Sequence, residues 1–480
     1  MLRKAAGRRP TKWLVLAGTL LVGAAILAGC SGTVTREEQL ARADIAQARS
    51  RYRPEDAKPP LPTLTTESGL ADLIRYALLN NPRVASTFHD WAAAVEEITT
   101  ARSLPDLMLN FSAEISRGVP NLSAALMTDP MANWPGPGKL PLKAEAAYGE
   151  AMKRRALVEN ELLATALAVK RAYYQLWVLE EQIRWTRETL AVVDETESLA
   201  RRRAAVGKVT QQDILRAQME HDQLTIQLAN LEDSRGPLQA RLRSALGLGP
   251  DQPTPPFALR LEAAPLDFTE KSLLEAAFAH NPRLKEMRSE VMQAMALYQL
   301  AQKSTVPDYS FGVGVSGGMN PVAVTPSLGI TLPIWRDKIA AEIARGRAGA
   351  DAAKARLAAE QLDLAVRFAE TAYAWREADR NVTLHGILLL PKARAALDSA
   401  RGGYVAGTTP LADLLEAERA CLQHHLEHAV AAGQREMVLA EMSLVILGRW
   451  PEHVAALLPE APPAPLDPVR GGSPEPPRLK

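Results

Sequence analysis

Val206-Gly207-Lys-Val209-Thr210-Gln-Gln-Asp213-Ile-Leu215-Arg216-Ala217 returns, about 200 residues on, as Val405-Ala-Gly407-Thr408-Thr409-Pro-Leu-Ala-Asp413-Leu-Leu415-Glu416-Ala417. In both stretches a glycine ends a long helical pattern and a shorter one follows, as where a helix must turn back on itself. Other marks return at the same spacing. Ala77-Leu-Leu-Asn-Asn81-Pro82-Arg83 becomes Ala277-Phe-Ala-His-Asn281-Pro282-Arg283. Between these anchors both copies carry a Pro-Asp pair (Pro105-Asp106, Pro307-Asp308), a Leu-Pro pair (Leu140-Pro141, Leu332-Pro333) and Ala-Tyr (Ala172-Tyr173, Ala372-Tyr373). Unlike residue types kept at a fixed offset mark a duplicated structural unit rather than low complexity.

Outward from each glycine the chain reads as long helices. Residues 144–205 contain almost no helix breaker and are rich in Ala, Leu, Glu and Arg, which predicts about 90 Å of helix. Residues 339–405 match them, with Gly386 and Pro391 expected to bend the second copy. Helices of this length need a coiled-coil setting. Shorter helices are expected at 211–246 and 411–447, and again before the strands at 68–103 and 270–303, with a break at each Asn-Pro. Two short helices stacked end to end would match one long helix.

Strands are expected after each Pro-Asp region. Leu107, Leu109, Phe111, Ala113 and Ile115 alternate with Met108, Asn110, Ser112, Glu114 and Ser116. Tyr309, Phe311, Val313 and Val315 alternate with Ser310, Gly312, Gly314 and Ser316, and Leu328, Ile330 and Leu332 with Ser327, Gly329 and Thr331. The pattern suits barrel strands, apolar toward lipid and polar toward a lumen, and also a half-buried soluble hairpin. The return strand of the first copy is expected within residues 133–140, short or irregular because Pro and Gly interrupt it.

The ends carry a different message. Arg3, Lys4, Arg8, Arg9 and Lys12 precede an apolar run, residues 13–27, and then Leu27-Ala28-Gly29-Cys30, so residues 1–29 read as a secretory leader. Small residues before a cysteine resemble a bacterial lipobox, which implies that Cys30 is acylated and becomes the mature N-terminus. Loss of the five leader cations takes the net charge from +1 to −4, unlike a nucleic-acid binder. Cys421 is then the remaining thiol, so no disulfide within the chain is expected. Residues 30–65 read as a tether, 66–260 and 261–460 as the two repeats, and 461–480 as a loose Pro-rich tail. No stretch after the leader has the roughly 18 apolar residues of a membrane helix, so any crossing must be made by strands.

Four strands per chain cannot close a barrel, and an open edge cannot stand in lipid, so closure demands several chains. The lipobox, the tandem repeats, the Asn-Pro start of each, the Pro137-Gly138-Lys139-Leu140 segment and the two glycine turns together resemble the TolC-type outer-membrane efflux proteins over residues 66–450. The resemblance implies a mainly α fold with a small β part. It also implies a homotrimer with a 12-stranded transmembrane β-barrel in outer-membrane lipid and a long α-helical tunnel in the periplasm. Such a duct docks on a periplasmic adaptor joined to an inner-membrane pump, and uses no cofactor. A type I secretion exit and a multidrug duct share this fold; a coiled-coil lipoprotein without a pore is the alternative of another class.

Within that family the glycine turns form the periplasmic tip, which implies adaptor contacts at Val206, Gly207, Val209, Thr210, Val405, Gly407, Thr408 and Thr409; a left-handed helix cap by itself also explains both glycines. Asp413 and Glu416 fall where the family has its closing aspartates, one helical face apart at i and i+3, and threefold symmetry would stack them as acidic rings. An acidic first turn suited to the helix dipole explains them equally. The first copy has Asp213 but Arg216 where the second has Glu416, and Arg216 would pair with a neighbouring acid and hold the tip shut. Cys421, His424, His425 and His428 sit within eight residues of one predicted helix, where a soft or borderline metal would find two or three ligands, against the reading of a solvated face. The cluster nudges the substrate reading toward metal cations. His385 and the remaining histidines read as ordinary, and no nucleophile elbow, phosphate loop or carboxylate pair suggests an enzyme.

Overall fold

A computed structural model of the chain describes residues 34–51, 61–116, 119–129, 133–205, 207, 209–261, 270–317 and 322–448. The leader, Cys30, Val206 and the 461–480 tail lie outside the described residues. The described residues begin with a helix, α1 (Arg36–Arg51), where composition predicted a loose tether. Ala41, Ile45 and Ala48 bury its inner face. Glu38, 1 % exposed, accepts hydrogen bonds from Arg42, Thr99 and Arg102. Burial pushes the Glu38 carboxyl up, but these three donors outweigh it and hold its pKa at about 2.

The first repeat then runs α2 (Leu70–Asn80), α3 (Pro82–Arg102), β1 (Leu107–Ser116), β2 (Val119–Thr128), α4 (Lys139–Ala205) and α5 (Gln211–Ala245). The second runs α6 (Glu270–His280), α7 (Pro282–Gln302), β3 (Tyr309–Gly317), β4 (Ala323–Ile330), α8 (Arg336–Val382), α9 (Leu390–Ala406) and α10 (Leu411–Glu441). The 67-residue α4 is about 100 Å long and packs against α3, α5, α7 and α10. Between α8 and α9 the helix widens into a π turn, Thr383–Leu389, which holds Gly386 and precedes Pro391. The expected bend is therefore a local change of hydrogen-bond spacing near the missing Pro N–H. A second π turn, Met442–Ile446, ends α10. No described helix is long and apolar enough to cross a membrane.

The repeated Asn-Pro motif joins the short helices end to end. Asn81 Oδ1 accepts from the Arg83 N–H, capping α3, while its Nδ2 donates to the Ala245 carbonyl at the end of α5. Asn281 caps α7 through the Arg283 and Leu284 N–H groups, and its Nδ2 donates to the carbonyls of Val445 and Ile446. One side chain thus closes two helix ends. The glycines opposite fit this contact: a Cβ on Gly247 would stand 2.7 Å from Asn81 Cα, and one on Gly448 2.6 Å from the His280 oxygen. Asn281→Ala removes the cap and strands two carbonyls, and is expected to cost about 2 kcal/mol, read as a lower guanidinium midpoint. An unchanged midpoint would mean that the junction is held elsewhere.

The four strands form one antiparallel sheet in the order β1-β2-β3-β4. Register puts Leu109 opposite Leu126 and Phe111 opposite Ala124; Leu126 faces Val313, and Val315 faces Val324. These residues share one face, and Phe111 (74 % exposed), Leu122, Val324 and Leu328 (84 %) are uncovered on it. The other face carries Asn110, Ser112, Ser123, Ser310, Gly312, Thr325 and Ser327. The first-copy return strand is β2, upstream of residues 133–140. Pro120 and the small residues Ser123, Ala124 and Ala125 dilute its alternation, yet it pairs on both sides. The Pro-Gly segment instead crosses the start of β3. Trp134 bridges Tyr309, its ring meets Phe311 edge-on at 4.5 Å, and Asp308 accepts from the Gly136 N–H and Lys139 Nζ, both at 2.7 Å.

Candidate functional site

The hairpin tips lie at the far end of α4 and α9 from the sheet. Gly207 (φ +71) and Gly407 (φ +85) are in the left-handed region that favours glycine. A Cβ at either would meet nothing within 4 Å, so backbone conformation rather than packing selects them. In the first tip Thr210 caps α5 reciprocally: its Oγ1 accepts from the Asp213 N–H, and Asp213 Oδ2 accepts from the Thr210 N–H. Asp213 is thereby a capping residue, with Arg216 Nη1 3.8 Å from its other oxygen. In the second tip the Thr408 and Thr409 N–H groups donate to the Gly403 carbonyl, closing α9. Val405 is 60 % exposed, and Gly207, Thr210, Gly407 and Thr408 are exposed; Val209 and Thr409 are half-buried.

The two tips are tied to one another by a residue that sequence reasoning missed. Arg203 donates to the carbonyls of Tyr404 and Val405 and lies over the Tyr404 ring at 4.6 Å. A cation on the last carbonyls of α9 suits the negative end of that helix. Tyr404, with Ala200, Ala217, Leu411, Leu414 and Leu415, forms the apolar plug of the tip. Asp413 and Glu416 are both exposed on the opposite side of α10.

A buried carboxylate lies just above that plug. Glu418 is 3 % exposed; one oxygen accepts from Thr196 Oγ1 at 3.2 Å, and the other has no hydrogen-bond partner among the described residues. Burial drives its pKa up to about 7, with Glu220 adding to the rise and Thr196 and Arg401 opposing it. Glu220, also buried, is claimed by Arg419 of α10. The sequence offered only an acidic residue at a core position as a signal for Glu418.

The Cys-His cluster divides. Cys421 is buried on the inner side of α10. His425 stacks on Trp185 at 3.3 Å, with Arg394 Nη2 3.2 Å from its Nε2; burial, then Arg394, push its pKa down to about 4. His428 packs on Gly386, where a Cβ would stand 2.5 Å from its ring. His424 alone finds potential co-ligands, and these come from outside the predicted four: His385 of the π turn and Glu427. Glu427 sits at i+3 from His424 and was readable in principle. His385, 39 residues away in sequence, was not.

The model for outer membrane efflux proteins matches this chain twice, over residues 73–248 and 273–445. The chain belongs to the outer membrane efflux protein family. It is 22 % identical over 379 residues to the cobalt-zinc-cadmium resistance protein CzcC of Cupriavidus metallidurans, covering 76 % of this chain and 87 % of that protein. Its fold is similar to the outer membrane protein VceC of Vibrio cholerae (TM-score 0.67, 18 % identity, 79 % of this chain and 96 % of that one). It is also similar to the outer membrane channel MtrE of Neisseria gonorrhoeae in its open state (TM-score 0.66, 17 % identity, 82 % and 97 %). The mainly helical tandem fold with its small sheet is thus that of outer-membrane efflux channels.

Proposed function

We propose that this chain is one protomer of a trimeric exit duct for metal cations, anchored in the outer membrane through an acylated Cys30 and docked by its hairpin tips on a periplasmic adaptor of an inner-membrane pump. The sheet carries this reading. It bares an apolar face, keeps a polar one, and leaves β1 and β4 unpaired on their outer sides among the described residues. Three copies would supply twelve strands and satisfy both edges in lipid. The choice of cations is supported by the resemblance to CzcC and by acidic groups on α10.

The exposed tip residues Val405, Gly407 and Thr408 offer an apolar and conformationally fixed knob to an adaptor. Asp413 and Glu416, exposed one turn beyond, line the constriction in the trimer. The Arg216–Asp213 pair within the chain is exposed and spans 3.8 Å, worth about 0.5 kcal/mol, which leaves Arg216 free to engage a neighbouring acid across the tip.

Deletion of the gene, followed by challenge with cobalt, zinc, cadmium and antibiotics, tests the reading. Hypersensitivity to the metals, cured by the wild-type gene, is expected; hypersensitivity confined to drugs would reject the cation assignment. Planar-bilayer recording tests the duct itself, and purified protein without conductance would reject it. In that recording Asp413→Asn with Glu416→Gln is expected to lower cation-over-anion permeability several-fold. Unchanged selectivity would remove both acids from the gate.

A further inference from the structure

His385 is carried by the π turn between α8 and α9, and His424 and Glu427 by the facing stretch of α10. The two Nδ1 atoms are 3.4 Å apart. Glu427 Oε2 lies 2.9 Å from His385 Nδ1 and 3.5 Å from His424 Nδ1. A tetrahedral divalent ion with bonds of about 2.0–2.1 Å separates its ligands by about 3.3 Å. The three distances bracket that edge. The second carboxylate oxygen of Glu427 accepts from Gln423 Nε2 at 2.9 Å, which fixes the carboxylate with Oε2 turned to the imidazoles. The groups are reachable, since Glu427 is 38 % exposed and the two histidines about a fifth.

The site has a defined address. On a helix of 3.6 residues per turn, Asp413, Glu416, Ala420, His424 and Glu427 fall on one stripe of α10, the last about 20 Å along the axis from the first. Whatever space Asp413 and Glu416 face, His424 and Glu427 face it too. The π turn is what brings His385 to this stripe. Its Gly386 leaves room for His428, so the wall of α10 approaches closely there. Local π geometry of this kind recurs at functional positions.

We propose that His385, His424 and Glu427 form a three-ligand site for a borderline divalent transition cation, with the fourth position open to water or exchange. Two imidazoles and one carboxylate suit Zn(II) or Co(II) better than the hard Ca(II) or Mg(II). With three ligands and an open face the site holds ions loosely, as a relay between the tip acids and the wider duct. Its role as a relay rests on the exit-duct reading above, whereas its binding does not.

The test titrates the full-length protein, purified in detergent, with Co(II) and follows the visible absorption of tetrahedral nitrogen–oxygen coordination, then displaces it with Zn(II). One Co(II) per protomer is expected. His385→Ala, His424→Ala and Glu427→Gln should each weaken binding about 10- to 100-fold, and His428→Ala should leave it unchanged. Glu427→Gln, at the most exposed of the three positions, carries the test if the π-turn variant fails to assemble. Absence of the band in wild type, or a titration indifferent to the three substitutions, would overturn the site. Binding lost in these variants while deletion of the gene sensitises cells only to drugs would leave the site standing and reject the cation duct. Metal hypersensitivity on deletion, without Co(II) binding, would do the reverse.

Discussion

Gly136→Ala is expected to be the most damaging methyl added at any glycine among the described residues, costing about 3–5 kcal/mol and preventing assembly of the strand layer. A Cβ at Gly136 would stand 2.2 Å from the Pro307 carbonyl oxygen and 2.7 Å from Val306 Cγ1. Neither neighbour is free to retreat. Pro307-Asp308 is pinned by the Trp134–Tyr309 bridge on one side and by the Asp308 hydrogen bond to Thr331 on the other. Any shift that relieves the clash also stretches the 2.7 Å bond from the Gly136 N–H to the Asp308 carboxylate, and with it the Lys139 ion pair. The crossing of the first repeat over the second is lost as a unit. The measurement is the guanidinium midpoint together with the yield of trimer. Gly349→Ala is the control: a Cβ there meets nothing within 4 Å, and inside α8, between two alanines, it is expected to stabilise by about 0.5–1 kcal/mol. Similar midpoints for the two variants would show that the crossing is not under steric control.

The contribution of Glu418 to stability is expected to fall as pH rises from about 4.5 to about 7, opposite in sign to that of His425, whose depressed pKa adds stability as pH rises from about 4 to about 6.5. The Glu418 carboxyl has an ordinary value of 4.5 and is raised by burial to about 7 in the folded chain. Between these values the folded protein keeps a proton that the unfolded chain has released, so the contribution is complete below about 4.5 and gone above about 7. The shift corresponds to a penalty on the order of 3 kcal/mol for the ionised folded form. Glu418→Gln should remove the step, making the variant more stable than wild type near pH 8 and little different near pH 5. Parallel pH dependence of the two proteins in denaturant would clear Glu418 of the effect. The carboxylate lies directly over the Tyr404 plug, so the same step should appear as lower amide protection factors in the tip at the higher pH, with no such drop in Glu418→Gln.

The sequence was most legible where one residue does one local job. Gly207 and Gly407 end their helices because no other residue sits easily at positive φ, and the bounds of α5 follow within a residue. The apolar alternation of β1 and β3 also reads directly. Legibility failed where partners come from far along the chain. β2 is a central strand whose pairing on both sides compensates for Pro120 and a run of small residues, which local propensity scores as a loop. The charged composition of residues 36–51 hides a helix, because Glu38 is neutralised by Arg102 of another element. Within the cluster on α10, spacing grouped Cys421, His424, His425 and His428. The hairpin instead turned His425 onto Trp185 and brought His385 to His424. A motif on one helix shows what shares a face, and only the facing helix decides which of those residues are partners.

The strand count of the sheet has a consequence for how copies meet. With four strands running up, down, up, down, β4 is antiparallel to β1 of its own chain. A like-oriented neighbour set beside β4 therefore presents its β1 in antiparallel sense. Every seam between chains then joins a second-repeat strand to a first-repeat strand, the same pairing that β2 and β3 make inside one chain. An odd number would have forced a parallel seam at each junction. Until those seams form, each newly made chain carries two unsatisfied edges beside a bare apolar face, the combination most prone to indiscriminate pairing. In the trimeric duct proposed above, such a subunit would need an escort, or rapid meeting of three copies, before its strands enter lipid.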